Sequence, residues 1–182
     1  MPIATRKSPG ASRARAGEAG RRPGMKQGLA RLIRSPAGLR RMLNLYPPYL
    51  LTGISVREIA GDWRRVEVQM GLHWYNRNFF GTHFGGSLYA MTDPFYALML
   101  VHVIGEDYIV WDRAAEIEFL RPGRGCVRAV FELSDAMIDE VLEATRDGAK
   151  FQPAWTVDVV DGEGERVARV LKTLYVRRKP GR

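Results

Sequence analysis

Alternation is the clearest regularity along the chain. In RVEVQMGL, residues 65–72, Val66, Val68, Met70 and Leu72 fall on one side and Arg65, Glu67 and Gln69 on the other, the period of a half-buried strand. A shorter candidate, ISVREI at 54–59, precedes it. Inside DYIVWDRAAEIEFLRPG, residues 107–123, Ala115, Ile117 and Phe119 alternate with Glu116 and Glu118, which predicts a long strand. CVRAVFEL at 126–133, AWTVDVV at 154–160 and RVARVLKTLYVRR at 166–178 predict further strands, the last two flanking the glycine-containing hairpin loop DGEGE.

Helical spacing appears elsewhere. Leu29, Leu32 and Ile33 repeat at i, i+3 and i+4; Ser35-Pro36 then restarts a helix carrying Leu39, Met42 and Leu43, and YPPYL at 46–50 ends it. This segment, 25–49, reads as a packing flap. Met137, Ile138, Val141, Leu142 and Thr145 form one face of a short amphipathic helix stopped by Gly148. Between the first two strands and the rest lies an almost wholly apolar run, Leu88–Ile104, opened by Gly85-Gly86. Such a helix has no polar face to offer water, so it needs a sheet around it. The expected class is α+β: an antiparallel sheet wrapped around one long buried helix, with an N-terminal helical flap. Strand and helix do not alternate, which argues against a doubly wound parallel sheet.

Composition changes this picture little. A chain of 182 residues, 46% apolar, suits one domain plus an extension. The net charge is +8, of which residues 1–24 carry +5 and the remainder only +3, so basicity is mainly a property of the tail. No nucleic-acid binding is expected beyond weak tail effects. That tail, rich in Arg, Gly, Ala, Pro and Ser, is expected to be disordered, or to precede a true start at Met25; it resembles a mitochondrial presequence in charge but not in helical pattern. The folded domain is expected over 50–178. Asp93, Pro94 and His102 within the apolar run argue against a membrane span. One cysteine, Cys126, excludes an internal disulfide and fits a reducing cytoplasm; His73 and His102 are isolated, so no metal site and no cofactor are expected.

The chemistry concentrates in NRNFFGTHFGGSLYAMTD, residues 76–93. Glycines at a helix start let a ligand approach the backbone, and the first-turn N–H groups have no helical partner, so they can face a developing negative charge. Gly85 and Gly86 are therefore oxyanion-hole candidates; tight packing is the alternative. Asp93, seven residues past Gly86, is either a working carboxylate on the helix, with Pro94 kinking it, or the cap of a helix that starts at Pro94. Asn78 can order the loop through its amide, and Trp74, Tyr75, Phe79, Phe80, Phe84 and Tyr89 suggest an apolar pocket.

The spacing Asn78-x-x-Gly81-Thr82-x-x-Gly85-Gly86, with Asp93 beyond, resembles the motif of hotdog-fold thioesterases, in particular the phenylacetyl-CoA-thioesterase-like branch and an uncharacterised bacterial thioesterase-like branch. The resemblance covers residues 50–178. It implies a hotdog fold, hydrolysis of an acyl-CoA-type thioester, a homodimer or a tetramer, and a site between one chain's helix and the other's loop. It also implies catalytic roles for Asp93, Gly85 and Gly86, and substrate contacts from Asn78, His83, Phe84 and Tyr89. The family's histidine directly precedes the glycines; here that position is Phe84, with His83 one step earlier. A hotdog that binds an acyl group without cleaving it is the alternative. A dehydratase is disfavoured, because Ala97 stands where that family keeps its acid. Arg121, Arg124, Lys172 and Arg177 could meet CoA phosphates or be solvated charges at strand ends, and Asp112-Arg113 reads as solvated or ion-paired.

Overall fold

The structure is a computed structural model that describes residues 34–180; the tail 1–24, the choice of start and the pattern at Leu29, Leu32 and Ile33 lie outside it. The chain begins with helix α1 (Pro36–Asn44), capped by the Ser35 hydroxyl, which accepts from the Gly38 amide. YPPYL does not simply end this helix. Pro47 and Pro48 start a second short one, α2 (Pro47–Leu50), because proline is pre-set for a helix's first turn, where its missing N–H is not needed. Both pack on strand β1 (Ile54–Ile59).

β1 pairs with β2 (Arg65–Met70), and a central helical segment follows as α3 (Gly85–Ala90) and α4 (Phe95–Ile104). Then come β3 (Tyr108–Phe119), β4 (Val127–Glu132), α5 (Asp135–Ala144), β5 (Lys150–Phe151), β6 (Ala154–Val160) and β7 (Arg166–Arg178). The sheet is antiparallel throughout, in the order β1-β2-β4-β6-β7-β3, with β5 also on β7. β5 has no period of its own in the sequence: it is a two-residue start to β6, separated from it by Gln152 and Pro153.

The inward positions match the alternation. Val66, Val68 and Met70 of β2, Val127, Ala129 and Phe131 of β4 and Val170, Leu174 and Val176 of β7 are buried against Phe95, Tyr96, Met99 and Leu100 of α4. The segment Gly85–Ile104 is long and apolar enough to cross a membrane, yet here it is the core helix that the sheet wraps.

That segment is not one continuous helix. It breaks over Met91–Pro94, and α4 restarts at Phe95 with Pro94 as its N-cap residue. Proline lacks the N–H an interior helical position must donate, so α3 closes with the Thr92 and Asp93 amides on the carbonyls of Tyr89 and Ala90. The break lies one residue beyond the cap alternative, which starts the helix at Pro94; no side chain caps α4, and the Asp93 carboxylate accepts from Lys172 instead.

Candidate active site

Two clusters flank α3, and they are held by different means. At its start, backbone and amide groups do the holding. The Asn78 side chain accepts from the Phe80 and Thr82 amides (2.9 and 3.1 Å) and donates to Thr82 Oγ1 and the His83 carbonyl (3.0 and 3.1 Å), closing a tight turn in which Gly81 has φ +75°. Buried Asn76 pins the preceding loop: it accepts from the His73 amide at 2.7 Å and donates to the Thr52 and Gly71 carbonyls at 2.8 and 2.7 Å.

The glycine pair follows at the first turn of α3. Its N-cap residue, Phe84, offers no side-chain cap, while the Ser87 and Leu88 amides turn back to the Phe84 carbonyl. The Gly85 and Gly86 N–H groups belong to the first turn and have no intrahelical partner. Both glycines also have a packing reason. A Cβ on Gly85 would lie 2.9 Å from Phe119 Cζ, and one on Gly86 would lie 2.5 Å from Phe84 Cε1. Gly85, Leu88, Asn78, His83, Phe119 and the 120–124 turn line a cavity of about 610 Å³.

His83 is a packed residue. It is 3% exposed, and its Nε2 donates to the Gly125 carbonyl at 2.9 Å. Burial, the largest influence, pushes its pKa down, against the Gly125 bond and with the charge of His73. The ring is therefore neutral with Nδ1 bare, and that atom finds no partner among the described residues.

At the far end of α3, charge does the holding. Asp93 Oδ1 accepts from Lys172 Nζ at 2.8 Å, and Asp112 Oδ1 makes an ion pair with the same Nζ at 3.1 Å, off the hydrogen-bond direction. Lys172 is fully buried, whereas the Asp93 side chain is 42% exposed. The Tyr89 ring lies 5.4 Å from Nζ, a cation–π distance. From the flap, the Tyr49 hydroxyl donates to the Asp93 backbone carbonyl.

Burial alone would lower the Lys172 pKa, but the Asp93 hydrogen bond and the charges of Asp112 and Asp93 outweigh it, so Lys172 sits above the usual lysine value. Asp112 is pushed up, first by burial and then by the neighbouring Asp93 charge, against the pull of Lys172. Tyr49 is pushed well up by burial and by Asp93, Tyr46 and Asp112, which keeps it a neutral donor.

The structure thus brings Asp93 and Tyr89 together, and gathers Asn78, His83 and Gly85 around a cavity with Phe84 folded against Gly86. The sequence expectation for Lys172 as a solvated strand-end charge is corrected: it lies in mid-strand on the inner face of β7. The signal was present, since Lys172 is in phase with Val170, Leu174 and Val176. Asp112 shares the inward phase of Val110 and is ion-paired, one of the options its sequence leaves open. Tyr49 and Asn76 carried no distinguishing signal.

The sequence matches the family described as "Domain of unknown function (DUF4442)" over residues 37–176. No curated protein matches it by sequence. Among solved structures, a Pseudomonas aeruginosa protein of unknown function described as a probable thioesterase is similar with TM-score 0.66 and 19% identity, over 79% of this chain and 96% of that one. A Haemophilus influenzae thioesterase is similar with TM-score 0.57 and 18% identity, over 78% and 89%. The Escherichia coli PaaI protein from the phenylacetic acid degradation operon gives 0.54 and 16%, over 79% and 91%. With these neighbours the architecture is that of the hotdog fold of thioesterase-like proteins.

Proposed function

The chain belongs to the family described as Domain of unknown function (DUF4442), and on the geometry of its two clusters we propose that it hydrolyses an acyl-CoA-type thioester. The observation that carries this reading is Asp93: a carboxylate at a break in the central helix, half open to solvent and fixed by a buried cation. In the proposed reaction Asp93 takes a proton from water as the water oxygen bonds to the thioester carbon. The Gly85 and Gly86 amides hold the carbonyl oxygen as it becomes negative, a contribution of about 3–4 kcal/mol per donor in well-formed cases. Collapse then breaks the C–S bond, and the thiolate takes the proton back from Asp93. Asn78, His83, Phe84 and Tyr89 shape the site: Asn78 and His83 as loop supports, Phe84 and Tyr89 as apolar walls. The reaction as written needs no metal or redox cofactor.

Within one chain the glycines and Asp93 stand at opposite ends of α3, a segment of six residues, or about 9 Å at the helical rise. We therefore propose a homodimer in which one chain's helix meets the other's loop around the thioester. The long edge strand β3 favours it: it pairs only with β7 among the described strands and offers 12 residues of backbone for pairing. A cytoplasmic location belongs to the same proposal. The packed, bonded state of His83 favours one second reading, a hotdog that binds acyl groups without hydrolysis.

The test is steady-state hydrolysis of short, long and aromatic acyl-CoAs, with Asp93→Asn as the control variant and light scattering for the oligomer. Turnover that drops about 100-fold or more in a folded Asp93→Asn supports the base role. Acyl-CoA binding without turnover selects the second reading.

A further inference from the structure

The buried ammonium beside Asp93 is unexplained by the chemistry above. A lysine on the inward face of a central strand gives up its hydration, and an apolar residue of similar length would fill the same space at no such cost. What the charge does supply is direction. Nζ has three N–H groups to offer, and three groups face it: Asp93 on the α3–α4 break, Asp112 on β3 and the Tyr89 ring on α3. Asp112 lies on the inward face of β3 opposite Leu174, diagonal to Lys172 and just before a bulge between Asp112 and Ala114. Anchored from the β3 side, Nζ is not free to follow Asp93 if that residue moves.

Asp93 is held at its other atoms as well. Its amide donates to the Ala90 carbonyl, and its own carbonyl accepts from Tyr49. Oδ1 is committed to the buried Nζ while the side chain as a whole is 42% exposed, so Oδ2 is the oxygen without that bond.

We propose that Lys172 is a positioning residue: its ammonium, braced by Asp112, fixes Oδ1 of Asp93 and leaves Oδ2 as the oxygen that accepts the proton from the attacking water. This rests on the hydrolase reading for its chemistry and on the ion-pair geometry for its mechanics. Oδ2 gains the proton when the C–O bond forms and returns it to sulfur when the C–S bond breaks, while Lys172 keeps its three protons throughout.

The experiment compares wild type, Lys172→Met and the double variant Lys172→Met/Asp112→Asn. Methionine keeps the apolar stem, and the double variant removes one charge of each sign, so the buried set keeps its net charge. If Lys172 positions Asp93, Lys172→Met lowers kcat by about 30-fold or more with KM little changed, and the double variant regains the melting temperature but not kcat. If the double variant regains both, Lys172 is only a counter-ion to Asp112 and the proposal is overturned.

A second measurement separates this from the hydrolase reading. In wild type labelled with ¹⁵N-lysine, the Lys172 ammonium is expected to give a slowly exchanging resonance that disappears in Asp93→Asn. Such a signal, even in a protein that cleaves no thioester, keeps the anchor and rejects the reaction. No protected ammonium, or one indifferent to Asp93→Asn, overturns the anchor whatever the activity.

Discussion

The two ends of α3 are built on opposite principles. At the glycine end, Asn76 and Asn78 tie a loop to itself and its near neighbours with neutral hydrogen bonds, and phenyl rings from Phe84 and Phe119 close over bare backbone. At the acid end, the contact that matters joins residues 79 apart in the chain and carries charge into the core. Local neutral bonds make a rigid frame at little electrostatic cost. The ion-paired end is expensive and directional, which suits a group that must present one oxygen and not the other.

That contrast can be broken first at the charges. Lys172→Met alone leaves Asp93 and Asp112 facing each other without their cation. A loss of about 3 kcal/mol of stability is expected, the low end for a buried pair because Asp93 is partly hydrated; urea unfolding measures it. Asn76→Ala comes next. It strands two carbonyls and an amide around a buried side chain in a half-buried loop, for about 2 kcal/mol, and should leave the acid end intact, so the Lys172 ammonium resonance should persist. Tyr49→Phe removes one hydroxyl from the Asp93 carbonyl and is expected to cost about 1 kcal/mol, with a fall in kcat if the flap steadies the break.

The smallest effect is on pH. Lys172 has a folded pKa raised above the ordinary 10.5, so the native state holds its proton more tightly than the unfolded chain does. Its stabilising contribution is complete below that value and is lost as pH rises through the folded pKa. Thermal melts above pH 10.5 should therefore fall more steeply in wild type than in Lys172→Met/Asp112→Asn. Equal slopes would mean that the pair is not linked to folding.

The same contrast separates what the sequence disclosed from what it hid. The strands over 65–70 and 154–160 were legible because each has an unbroken period of two, those over 54–59 and 166–178 because most of their length alternates, and the Asn78-to-Gly86 spacing was legible because its bonds are local. The helix break was read only as an alternative, since Asp-Pro fits both a kink and a restart. The partners of Asp93 were hidden because an ion pair across 79 residues leaves no spacing rule. Lys172 was open to discovery in a weaker way: a cation in phase with Val170, Leu174 and Val176 contradicts its own strand, and such a contradiction points to a buried partner.

The bulge in β3 has a consequence for both clusters at once. Before it, the inward positions are even-numbered, Val110 and Asp112; after it they are odd, Ala115 and Ile117, with Phe119 in the same phase at the exposed end, against Gly85. Arg113 therefore works as a half-step in a two-beat rhythm. The bulge absorbs it: were the strand regular through Arg113, with Asp112 kept on Lys172, Glu116 and Glu118 would turn to the core and Phe119 would swing away from Gly85. By taking up one surplus residue, the bulge keeps the acid's brace and the glycines' cover in tune.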